Sequence, residues 1–324
     1  MSAALVWWSF RGTEWSVLWQ SVRNVRVVPL LIAIVLATLP FPLRVPRWRL
    51  LLRREDGTAL PWRPLWHSIA IGFAANNVLP FRAGEVLRMA AISRLTGVPF
   101  ASALSSVAVE RVIDALVVIA MMGVGLVTAD IPAGLTLPGS SLPISTLAIR
   151  TGVICLGVLL FALVGALFPT FALRVTRAVL PRNRIGNGLF HFAERVLLGL
   201  GALRDPRRAI PVIGWSLLVW GTSGLAFYAA FVAFGFDLPV AGAFILQGVL
   251  MVGIAVPSTP GYAGVFEAAI WTTLFALFGV PKEAGLAYAL TYHITTFIPI
   301  TLMGAWSAMQ SGMHVRDARV RNAP

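Results

Sequence analysis

The segment Asn76-Asn77-Val78-Leu79-Pro80-Phe81-Arg82-Ala83-Gly84-Glu85-Val86-Leu87-Arg88 sets two amides, a proline, a glycine, a carboxylate and two arginines between apolar runs. Those runs dominate the chain: of 324 residues, 58% are hydrophobic and 12% charged, against about a quarter charged in soluble domains. Long uncharged stretches of this kind read as an all-α polytopic membrane protein. Hydrocarbon offers no water to unpaired backbone groups, so an irregular polar segment is tolerated only inside protein or against a water-filled cavity. The break at Pro80 has to be enclosed, and the remaining chain has to enclose it.

A second copy follows 182 residues later. Glu85 through Leu95-Thr96-Gly97-Val98-Pro99 aligns without a gap on Glu267 through Leu277-Phe278-Gly279-Val280-Pro281. Upstream, Pro80-Phe81-Arg82-Ala83-Gly84 matches Pro260-Gly261-Tyr262-Ala263-Gly264 after a two-residue slip. Downstream, the register sets Glu110-Arg111 opposite Tyr292-His293. Repeated, broken hydrophobic segments point to a transporter-like site at the repeat interface. The bland alternative is common ancestry retained for packing alone.

Basic residues orient the spans. Met1 to Trp8 is apolar but too short to cross, and is expected to be the end of a span that begins earlier. Val27 to Leu43 is the first span, kinked or begun early by Pro29, Pro40 and Pro42. Arg44, Arg47, Arg49, Arg53, Arg54 and Arg63 mark a cytoplasmic loop. Leu65 to Leu79 enters, breaks at Pro80 and returns from Gly84 as a re-entrant hairpin. Ser102 to Ala129 crosses outward, and Asp130 to Ser145, free of Lys and Arg, forms an external loop. Thr146 to Phe168 returns, and Arg174 to Arg208 forms an Arg-rich amphipathic surface helix. Pro211 to Phe234 crosses outward again. Ala241 to Pro257, the break at Ser258-Thr259-Pro260-Gly261 and Gly264 to Phe278 make a second re-entrant hairpin, entered from outside. Ala284 to Ser307 crosses inward and leaves Arg316, Arg319 and Arg321 in the cytoplasm. The expectation is one integral membrane domain over 1–324, with inverted repeats at about 27–129 and 211–307. The span 146–168 and the basic segment 174–210 join them. Arg11, Arg23 and Arg26 fall on the outer side, against the charge rule.

The net charge of +13 comes from residues lying between spans, so contact with anionic lipid accounts for it and nucleic acid is not a partner. The lone Cys155 excludes an intramolecular disulfide and a cysteine metal cluster. No nucleophile elbow, His-Glu-x-x-His or Walker loop is present. A non-enzyme without cofactor or metal is expected.

Each hairpin's second half-helix starts near the bilayer middle, where free N–H groups and the positive dipole end favour an anion. Arg82 and Arg88 add positive charge suited to phosphate, and Asn77, Ser258, Thr259 and Tyr262 add hydrogen-bonding groups. Glu85, Glu110 and Asp114 hold the arginines Arg82, Arg88 and Arg111 or take up a coupling proton; the bland alternative for Glu85, and for Glu267 as a site residue, is that each only complements the dipole of its own helix. Glu110, Arg111 and Asp114 lie inside a span, where a charge costs at least ~2.5 kcal/mol. Glu110 and Asp114 share a face, and Arg111 reaches Asp114 at i,i+3. They face a cavity, or they form an ion pair that locks helix to hairpin. Tyr292 and His293 hold the equivalent places in the other half, as ligands or as satisfied hydrogen-bonders.

The succession Asn77-x-x-Pro80-x-Arg82-x-Gly84-Glu85-x-x-Arg88, Val109-Glu110-Arg111-x-x-Asp114 and Pro257-Ser258-Thr259-Pro260-Gly261-x-x-Gly264-x-x-Glu267 resembles the flippase-like membrane region of lysylphosphatidylglycerol synthases. The resemblance covers nearly the whole chain. That region stands alone in many bacterial and archaeal membrane proteins, and in the synthases a soluble aminoacyl-transferase domain follows it. With Pro324 as the last residue, lipid-modifying activity is not expected to carry over. The resemblance implies movement of an anionic or aminoacylated lipid, or a lipid-linked sugar, between leaflets of a plasma (inner) membrane. A partner synthase or transferase is the other association it implies.

Overall fold

A computed structural model describes residues 2–129, 168–181, 206–255 and 259–312, with isolated positions among 143–157 and 183–194. The loop expected at Asp130–Ser145, most of the span expected at Thr146–Phe168, the basic segment beyond Pro181, Ser258, and Arg316, Arg319 and Arg321 lie outside the described residues.

The fold is all-α and polytopic. Among the described residues, five segments are long and apolar enough to cross a membrane: Val27–Leu51, Phe100–Thr128, Ala209–Phe234, Pro260–Phe278 and Lys282–Gln310. Their outer faces carry large apolar side chains, as on the first of them, where Val28, Leu31, Ile32 and Val35 are exposed and only Ala33 of Val27–Thr38 is buried. A helix apolar all round, with its bulk turned outward, is built for lipid.

Two short helices, α1 (Ser2–Phe10) and α2 (Trp15–Arg23), precede α3 (Val27–Thr38) and α4 (Pro40–Leu51). Pro40 opens α4, where its missing N–H is harmless, and α4 continues well past the expected end of the first span. Then come α5 (Trp62–Val78), α6 (Ala83–Thr96) and α7 (Phe100–Thr128). Beyond them lie α8 (Pro169–Val179), α9 (Pro206–Phe234), α10 (Val240–Ala255), α11 (Val265–Phe278) and α12 (Lys282–Gln310). On α8, Arg174 and Arg177 share a helix with exposed Phe171 and Val179.

α6 and α7 begin and end 182 residues before α11 and α12. Both α6 and α11 close on a left-handed glycine, Gly97 or Gly279, followed by Val-Pro. The glycine ends the helix and the proline, lacking an N–H, opens the next.

α5 and α6 pack antiparallel at a distance only glycine allows. A Cβ on Gly84 would stand 1.9 Å from the Gly72 carbonyl oxygen, and one on Gly72 2.7 Å from Arg88 Cβ. α12 presses on α5 in the same way, with Gly304 against Ala70 and Ala74, the small-residue contact typical of membrane helices. α10 and α11 form the second antiparallel pair, Gly253 facing Val265 and Ala269. The two breaks meet where Gly261 approaches the Asn77 carbonyl and the Phe297 ring, but Pro80 and Phe81 are exposed, Phe81 at 77%, so the protein does not enclose the first break as expected.

One correction to the sequence reading changes the site. Arg44 and Arg47, expected in a cytoplasmic loop, are buried on α4 at 5% and 0% exposure. Phe41, Arg44, Val45 and Trp48 follow i, i+3, i+4, i+7, a single helix face turned inward.

Candidate functional site

At the first break, Phe81 and Arg82 are both left-handed, with φ of 59° and 56°, at a cost of roughly 1–2 kcal/mol each for L-residues. At the second break Tyr262 has φ 61°. It is the residue that the sequence match sets opposite Arg82. Strained backbone thus lies at the break after α5 and again at the break after α10, and persists only where surrounding structure holds it.

The helix N-termini expected to hold an anion are already engaged. Asn76 Oδ1 accepts the Gly84 N–H at 2.9 Å, and Glu267 Oε2 accepts the Gly264 N–H at 2.6 Å. Glu267 also meets His293 Nδ1 through its other oxygen at 2.7 Å. His293 stacks on Phe266 at 4.1 Å. The structure thus gives Glu267 the cap role among its alternatives, and keeps the Glu267–His293 pair out of the cavity lining.

The positive charge lies on side chains instead. Arg88 grips Glu110 through two hydrogen bonds, Nη1 to Oε1 at 3.0 Å and Nη2 to Oε2 at 2.8 Å, and lies 3.8 Å over the Trp48 ring. Arg111 Nη2 donates to Glu110 Oε1 at 2.8 Å and approaches Asp114 at 3.6 Å. Arg47 pairs with Asp114 and with Glu110 at 3.0 Å, and donates to Ser216 Oγ at 3.2 Å. Trp220 Nε1 completes Asp114 at 2.7 Å. Arg44 is the outlier. It reaches Glu110 and Asp114 only at 3.7 and 3.6 Å, and its buried Nη1 makes no hydrogen bond. Its guanidinium lies near the Phe73 and Trp220 rings, 5.0 and 5.4 Å from their centroids.

Between the two tips is a cavity of about 240 Å³. Four arginines line it: Arg44, Arg82, Arg88 and Arg111; the one carboxylate among its lining residues is Glu85, 4.0 Å from Arg82. Gln247, on α10, also faces it, 2% exposed and with neither amide atom hydrogen-bonded.

The remaining predicted residues divide between lining and frame. Asn77 lines the cavity and donates to Thr301 Oγ1 at 2.8 Å, tying the first tip to α12. Tyr262 and Tyr292 line it too, Tyr292 stacked on Phe227 at 4.5 Å. Thr259 Oγ1 donates to the Ala263 carbonyl at 2.9 Å within the second tip, away from the cavity. Glu110 and Asp114 lie behind the arginines and hold them.

Arg44, Arg47 and Gln247 were not expected at the site. For the arginines a signal existed, since two carboxylates inside a span demand more countercharge than one adjacent Arg111 supplies. For Gln247 the only hint was an amide in an otherwise apolar helix. Among the described residues, no three His, Cys, Asp or Glu side chains converge in a way that would hold a metal ion.

The family described as the lysylphosphatidylglycerol synthase TM region matches residues 1–304. A glycosyltransferase, AglD of Haloferax volcanii, is 29% identical over 305 residues, covering 86% of this chain and 48% of its own length. A UPF0104 membrane protein of Methanothermobacter thermautotrophicus is 26% identical over 284 residues, covering 82% and 78%. The chain therefore spans about half the length of the glycosyltransferase it matches.

Proposed function

Because the chain belongs to the lysylphosphatidylglycerol synthase TM region family, we propose that it carries a lipid head group between leaflets. The substrate is an anionic or aminoacylated phospholipid, or a lipid-linked precursor, in the plasma membrane of a bacterium or archaeon. The observation that carries this reading is the cavity where the α5–α6 and α10–α11 pairs meet, lined by four arginines. In such an arrangement the head group crosses inside protein while its chains stay in lipid.

The arginines act by charge and by planar, two-pronged contact with phosphate oxygens. Glu110 and Asp114 fix their orientation, as a pre-organised site requires. The inverted-repeat reading supplies the motion: each hairpin opens the cavity to its own side while the other stays closed. Positive φ at Phe81, Arg82 and Tyr262 puts strain where the backbone must rearrange. In this reading the chain performs no bond chemistry.

A second reading is favoured by one observation, the match to part of a glycosyltransferase. There the chain would be the membrane subunit or scaffold of a lipid- or glycolipid-modifying enzyme. Purified chain in liposomes, with head-group-labelled lipids exposed to an impermeant quencher, separates the two. Transport predicts that label in the inner leaflet becomes accessible, faster than in protein-free vesicles, for at least one lipid of an anionic and aminoacylated panel. Rates equal to empty vesicles for every lipid would leave the scaffold reading.

A further inference from the structure

We infer that the cavity selects a lipid whose terminal phosphate is a monoester, a dianion, and rejects both phosphodiester and aminoacylated head groups. This deepens the translocation reading and rests on it.

The charge balance carries the inference. Arg44, Arg47, Arg88 and Arg111 converge on Glu110 and Asp114, four cations on two anions. At the rim, Arg82 and Glu85 offset each other. Glu267 and His293 face one another behind Phe266, outside the cavity. The other polar side chains lining it, including Gln247, Asn77, Tyr262 and Tyr292, are amides and hydroxyls. Two positive charges thus remain uncompensated in a cluster whose Arg44, Arg47 and Arg88 are buried, which is costly unless a ligand completes it. A phosphate monoester carries about −1.5 to −2 at neutral pH, which matches the surplus, whereas a diester carries a single charge. A lysyl group would add a cation to a site that already has too many.

Unsatisfied groups on lining residues give the ligand its contacts. The Gln247 amide is 2% exposed with donor and acceptor both free, and Nη1 of Arg44 and Nε of Arg82, Arg88 and Arg111 are buried without a hydrogen bond. All five residues line the cavity. Size agrees, since a cavity of about 240 Å³ has room for a phosphate group.

The test measures binding to the purified full chain in detergent by thermal shift and titration. The probes are phosphatidic acid, phosphatidylglycerol of the same acyl chains, lysylphosphatidylglycerol and inorganic phosphate. At pH 8 phosphatidic acid should bind at least tenfold more tightly than either diester. That preference should shrink as pH falls through about 6, where a monoester takes up its second proton. Arg44→Gln should weaken phosphatidic acid at least tenfold, as expected for a lost charged hydrogen bond. Arg111→Gln, on a side chain 28% exposed, gives the same readout if Arg44→Gln unfolds.

Equal binding of phosphatidylglycerol, or a preference flat from pH 8 to 5, overturns the inference and leaves translocation standing. Inorganic phosphate binding as tightly as phosphatidic acid overturns the assignment to a lipid. Selective, Arg44-dependent binding with no lipid movement in liposomes supports the site and overturns the translocation reading instead.

Discussion

At the scale of single residues, the cluster assigns different work to arginines that look alike in the sequence. Arg88 is 3% exposed, with both terminal nitrogens on Glu110 and its plane on Trp48. Removing it takes two charged hydrogen bonds from Glu110 and the cover from Trp48, though Arg47 and Arg111 still pair with that carboxylate, so Arg88→Ala should destabilise the protein by at least about 1.5–3 kcal/mol, read as a lower unfolding temperature in detergent. Arg111 is more accessible, and Glu110 and Asp114 keep Arg88 and Arg47 without it. Arg111→Ala should therefore cost less stability yet abolish lipid movement. Arg111→Lys keeps the charge without the planar fork, and should lower the liposome rate at least tenfold; normal transport by that variant would make Arg111 only a structural countercharge. Glu110, Arg111 and Asp114 were legible in the sequence because charge inside an apolar run is too costly to be accidental. Arg44 and Arg47 were not, because basic residues beside a span are ordinarily topogenic. The inward face of Phe41, Val45 and Trp48, together with the countercharge that Glu110 and Asp114 demand, distinguishes them.

At the scale of elements, the glycines between α5 and α6 set how closely the first pair can pack. Gly84→Ala would drive a methyl group into the Gly72 carbonyl, and should cost at least about 1–3 kcal/mol. Gly221→Ala, on α9 with nothing within 4 Å, is the control and should fall within about 0.5 kcal/mol of the parent. The meeting of the breaks gives a second expectation. Cysteines replacing Asn77 and Tyr262, in a Cys155→Ser background, should be joined by a short bifunctional maleimide, and the joined protein should stop moving lipid. Transport that survives complete joining would mean the tips need not part. Helix boundaries in α6, α7, α11 and α12 were legible because a Gly-Val-Pro stop and start recurs at one spacing. The ligand role expected of the helix N-termini was not so simple, since whether a backbone N–H is free depends on side chains eight or three residues away. Asn76 and Glu267 occupy those amides, and a sequence does not show which acceptor arrives first.

At the scale of the whole molecule, Arg54, Glu55 and Asp56 gather with Thr96 to Pro99. Separately, the Arg26 N–H donates to the Ala233 carbonyl and Lys282 Nζ to the Arg11 carbonyl. Cysteines replacing exposed Asp56 and Asp237, again with Cys155→Ser, should be labelled by an impermeant maleimide from opposite sides of the membrane. Labelling of both from one side would end the inverted-repeat scheme. The surplus of guanidinium over carboxylate in the interior also bears on energetics. With a dianion bound the site is electrically neutral; empty, it holds two positive charges. The resting voltage, worth about 2.3 kcal/mol per charge per 100 mV, then acts chiefly on the unloaded carrier as it resets. An imposed potential would accordingly alter net one-way flux while leaving exchange of labelled for unlabelled lipid almost unchanged.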